Sequence, residues 1–165
     1  MRLGKLRGWF QFKGNFIIIF LWIILVSIVV IVTYHSIYLT SERWKTFKIA
    51  WDPVEGPVLN NFGIALLFVV SFSVGLLLED AKTLVYGFLL TLVLSFIISV
   101  TFVFYYIWNF LNFSESLGKI PYGWEWALYM SFLNCIRIFI PHVLVLLIFG
   151  AGLGCLLSSY FLIKK

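Results

Sequence analysis

From Phe16 to Leu39 the chain carries no Asp, Glu, Lys or Arg. The run reads FIIIFLWIILVSIVVIVTYHSIYL. A helix crosses the ~30 Å hydrocarbon core of a bilayer with ~20 apolar residues, so this run is long enough. Its β-branched residues would weaken a helix in water. In lipid every backbone N–H and C=O needs a partner within the segment, so helix prevails. Arg2, Lys5, Arg7 and Lys13 precede the run, as they would in a signal peptide. The run is too long for a signal-peptide core, and no small-x-small cleavage site follows it. An uncleaved first span over about 15–39 is expected.

Three further apolar segments follow, over about 62–78, 83–111 and 137–163. Only 12% of the residues are charged and 62% are hydrophobic. A soluble domain is nearer a quarter charged, so lipid must cover most of this surface. The expected fold class is an all-α integral membrane protein, with one transmembrane domain over 1–165. It is a four-transmembrane-helix bundle with a short interfacial or re-entrant helix before the last span.

The connections differ in kind. An outer loop over 40–61 is polar and holds Pro53 and Pro57. Between the second and third segments stand only Glu79, Asp80, Ala81 and Lys82, which predicts a tight antiparallel hairpin. Asp80 is placed to cap the third helix. The stretch after Asn112 turns aromatic at Tyr122, Trp124 and Trp126. A short interfacial helix is expected over about 123–134. A break near Arg137–Pro141 then leads into the last span, with Pro141 in its first turn, where a missing N–H costs nothing.

Basic residues set orientation in membranes. Arg2, Lys5, Arg7 and Lys13 before the first span, with Lys82, Lys164 and Lys165, favour cytoplasmic N- and C-termini. The net charge of +5 is accounted for by these helix ends. No basic helix or basic–aromatic face suits nucleic acid.

Helices in lipid associate through close backbone approach and interhelical hydrogen bonds, which small residues permit. The third segment has such residues at every fourth position: Thr83, Gly87, Thr91, Ser95 and Ser99. The last has Gly150, Gly154 and Ser158, and the second has Ser71 and Gly75. These stripes mark faces that pack within the chain, against another subunit or against another copy.

Few side chains are suited to chemistry. His35 and His142 are the two histidines. If the first and last spans are neighbours, the two imidazoles share a depth in the outer leaflet. That is the requirement of bis-histidine haem ligation or a two-histidine metal site. The plainer reading is two interfacial histidines that meet water or a hydroxyl. Glu125 and Arg137 are the charges nearest the membrane in the outer segment, and are candidates for pairing or for contact with a lipid headgroup. Snorkelling is the plainer reading there. Cys135 and Cys155 would stand ~30 Å apart on one continuous helix, too far to bridge. No HExxH, phosphate-cradling glycine loop or intramembrane acidic pair occurs. The expectation is a non-catalytic accessory or scaffold subunit without a cofactor, surrounded by lipid and by other membrane subunits or copies of itself. A redox or metal-binding subunit using His35 and His142 is the alternative, and a small transporter or channel the second.

Overall fold

A computed structural model describes residues 2–36, 59–78, 80–110 and 123–163. These residues form α1 (Arg2–Tyr34), α2 (Asn61–Leu77), α3 (Ala81–Phe110), α4 (Gly123–Ile138) and α5 (Leu144–Ile163). A π turn, Phe139–Val143, joins α4 to α5 without a break. Three helical stretches are long and apolar enough to cross a membrane: Gly14–Tyr34, Ala81–Tyr106 and Ala127–Phe161. Asn61–Leu77 is a shorter apolar helix. Residues 37–58 and 111–122, which include most of the predicted outer loop, lie outside the described residues.

Local sequence explains the helix starts. Asn60 caps α2, its side chain accepting from the Gly63 amide at 2.7 Å. A Cβ on Gly63 would approach that Asn60 oxygen to 2.9 Å, so glycine leaves room for the cap. Asp80 caps α3 as expected: the Thr83 hydroxyl donates to it at 2.9 Å, and the Lys82 and Thr83 amides at 3.3 Å. The Thr83 hydroxyl and the Lys82 amide hold the Asp80 carboxyl below its ordinary range.

The last helix departs from expectation. The predicted interfacial helix at 123–134 does not stop near Arg137. It runs on through the π turn into α5, so Pro141 lies inside a long helix rather than in a first turn. Proline lacks an N–H, and its ring crowds the carbonyl four residues back, here that of Arg137. Widening the turn relieves that conflict: the Leu144 amide bonds the Phe139 carbonyl, five residues back.

Pairing also departs from chain order. α2 packs along α5 and α1, while α3 packs along α1 and α4. α2 and α3 share no sustained interface, although a very short turn joins them. The predicted hairpin is therefore a change of direction without packing. The reason lies in shape. Gly150 of α5 lies so close to α2 that an added Cβ would meet Ser71 Cβ at 2.8 Å and the Phe68 carbonyl at 2.9 Å. A Cβ on Gly154 would strike the Phe72 carbonyl, and one on Gly75 the Ala151 carbonyl. Backbone lies on backbone, and this contact outweighs proximity along the chain.

One core cluster draws on all the helices. Trp22, Val26, Val30, Leu67, Ile138, Val143 and Leu147 are fully buried. On α3, Thr91, Ser95 and Ser99 are fully buried, Gly87 lies against Ile19 of α1, and Thr83 is half-buried. Several buried serine hydroxyls are satisfied within their own helices. Ser99 donates to the Ser95 carbonyl at 2.7 Å, Ser27 to Ile23 at 2.8 Å and Ser131 to Ala127 at 2.7 Å. Such bonding removes the cost of an unpaired polar group in an apolar interior.

Candidate functional site

Several polar side chains lie on the helix that leads into the π turn. On α4, Ser131, Asn134 and Cys135 share the buried face, and Asn134 donates to the Met130 carbonyl at 3.0 Å. The Tyr34 hydroxyl at the end of α1 is within hydrogen-bonding reach of the Cys135 thiol. Phe96 of α3 closes the other side, edge-on to Phe132 at 5.4 Å and to Phe139 at 5.2 Å. Aromatic pairs favour this edge-to-face arrangement because the positive ring edge meets the negative ring face.

Three buried polar atoms of the interior have no hydrogen-bond partner among the described residues: Thr91 Oγ1, Arg137 Nη1 and His142 Nδ1. Thr91 is wholly enclosed, whereas Arg137 and His142 are half-buried. Arg137 precedes the π turn by two positions and His142 lies within it, five positions further on. The helix runs on through the turn without a break, so the two residues lie on one continuous axis. Arg137 has no carboxylate in reach among the described residues. Glu125, exposed on the same helix, is roughly 18 Å away along the axis, which rules out the pairing the sequence allowed. Asp80 belongs to the opposite end of the bundle.

The two histidines are placed differently. His35 is exposed just beyond the end of α1, and His142 is half-buried in the π turn. Tyr34, next to His35, reaches Cys135, which precedes His142 by seven positions, roughly 10 Å of helix. α1 and the π turn also share no sustained interface. Packed helices therefore do not bring the two imidazoles together directly. Among the described residues, no group of three or more His, Cys, Asp or Glu side chains comes together. Cys135 and Cys155 are both free and lie on one continuous helix.

Sequence reasoning overlooked Trp22, the largest fully buried side chain. Its indole donates to Ser71 of α2 at 3.3 Å, joining two helices. A signal was present. Tryptophan in membrane proteins concentrates at the two interfaces, and Trp22 stands in mid-run. The π turn was also overlooked, although a proline inside an apolar run was its marker.

No protein-family model, curated protein or solved structure matches this chain, so none of them lends it a function.

Proposed function

We propose that the chain is a four-span membrane protein with both termini cytoplasmic, serving as a non-catalytic accessory or scaffold subunit of a larger membrane complex. The register of the helices supports four spans. Gly150 lies against Phe68, Ser71 and Phe72, and Gly154 against Phe72, Gly75 and Leu76, so α2 and α5 run parallel. Extending that register puts Asn60–Asn61 level with Phe139–Ile140, and Leu78–Asp80 level with Leu157–Ser159. On α1, Trp22 meets Ser71, and Val29 lies beside Gly63. Continuing antiparallel, Lys13–Gly14 comes level with Asp80 and Val32–Thr33 with Asn60. One slab therefore holds an apolar length of α1, α2, α3 and α5. Its edges carry Lys13, Asp80 and Lys82 on one side, and Asn60, His35 and Arg137 on the other. α2 is ~25 Å long, close to the thickness of a hydrocarbon core. The basic first edge favours the cytoplasmic side.

The observation that carries the subunit reading is α4. It continues beyond the slab on the outer side, away from the acyl chains, yet leaves Trp124, Leu128 and Tyr129 exposed. Exposed aromatic and aliphatic residues beyond the reach of lipid tails are characteristic of protein–protein contact. Gentle solubilisation of native membranes followed by purification of the full chain tests this. Stoichiometric partner subunits are expected, and Trp124→Ala with Tyr129→Ala releases them. A chain that purifies alone, with the double variant unchanged in size, removes the reading. Topology is tested separately. Membrane-impermeant labelling of cysteines added at the two ends is expected to fail in intact cells and to succeed after permeabilisation.

A further inference from the structure

We propose that Arg137 and His142 hold the phosphate of an anionic phospholipid where the bundle meets the outer headgroup layer; this rests on the membrane reading above. Arg137 stands two positions before the π turn and His142 within it, each with a buried nitrogen lacking a partner among the described residues. A guanidinium left this way in an apolar setting is costly, because desolvation penalises an unpaired charge. An anion outside the helix draws the fork outward and satisfies it with charge-assisted bonds, for which arginine and phosphate geometries match.

Depth favours a headgroup. Arg137 and His142 bracket the level at which α2 begins, marked by the exposed pair Asn60 and Asn61. The N-terminus of α2 adds positive potential at that level. The surroundings select a lipid over a soluble anion or a partner's carboxylate. Inward from the π turn, Val145, Ile148 and Phe149 are exposed and form an apolar track. A cationic site above an apolar track fits a molecule with phosphate at one end and acyl chains at the other.

The test uses the full-length protein in neutral detergent, with bound lipid counted by native mass spectrometry. Dioleoylphosphatidylglycerol, dioleoylphosphatidylcholine and inorganic phosphate are added separately. Wild type is expected to retain phosphatidylglycerol in preference to phosphatidylcholine. Arg137→Gln is expected to weaken that retention about tenfold, the loss of one bond to a charged group. Arg137→Lys retains an intermediate amount, and His142→Gln loses less than Arg137→Gln. Lys82→Gln, at the opposite edge, is expected to behave as wild type. If Arg137→Gln does not fold, Arg137→Lys and His142→Gln carry the reading. Equal retention by wild type and these variants overturns the proposal. An equal response to inorganic phosphate overturns the lipid source and leaves an anion site. Alkaline extraction of membranes reports on embedding independently: release of the chain would break the membrane reading whatever the lipid count.

Discussion

Gly154→Val separates α2 from α5 and destabilises the bundle by roughly 2–3 kcal/mol, the upper range for overpacking. The reason is what lies beneath the glycine. A Cβ there meets the Phe72 carbonyl, with Leu76 N at 2.9 Å and Gly75 C at 3.0 Å. These are backbone atoms of a regular helix, so no side chain can rotate away and the whole helix must shift. Shifting it also breaks the contacts of Gly150 and Gly75, because all three belong to one interface. Gly152 is the internal control. It is on the same helix with nothing within 4 Å of an added Cβ, so Gly152→Ala should leave stability unchanged. Unfolding in mixed detergent micelles, followed by circular dichroism, measures both. Equal stability of Gly154→Val and Gly152→Ala would show that α2 and α5 do not touch as described.

Trp22→Ala is expected to cost about 3–5 kcal/mol, the range for removing a large buried aromatic residue. The indole is fully buried among α1, α2 and their neighbours, and its N–H donates to Ser71. In lipid the loss is mainly of dispersion contacts and of the cavity left behind, since apolar transfer contributes little between helices. Two milder changes separate the components. Trp22→Phe keeps most of the ring and removes the donor. Ser71→Ala keeps the ring and leaves the donor unpaired, at about 1–3 kcal/mol. Combining Trp22→Phe with Ser71→Ala should therefore cost less than the two changes added, because they remove the same bond. Strict additivity would mean that the indole and hydroxyl do not interact.

The helices themselves were legible in the order of residues. Apolar runs of spanning length predict helix over about 15–39, 62–78 and 83–111, and among the described residues helix is found over 15–34, 62–77 and 83–110. The cap at Asp80 was legible too, because a short acidic side chain before an apolar run has a purely local role. The stripe Thr91, Ser95, Ser99 is enclosed, and glycines 150 and 154 lie against α2. What the stripes could not announce was their partner. Small residues on α3 fit α1 and α4 as well as they would fit the adjacent α2, and nothing along the chain distinguishes these options.

The last helix teaches the same lesson at a finer scale. Reading Pro141 as a boundary followed from its missing N–H, which is a local argument. The helix continues because a wider turn removes the clash while α4 packs on α3 and α5 packs on α2, holding both halves in line. That continuity sets the spacing of Glu125, Arg137 and His142 along one axis, and so decides which charges can meet. The residue order by itself determined helical class and apolar lengths, because hydropathy and backbone hydrogen bonding act within a segment. Only the tertiary structure decided the pairing of α2 with α5, the π turn and the level of each histidine. Those depend on how two surfaces fit, and fit belongs to neither surface alone.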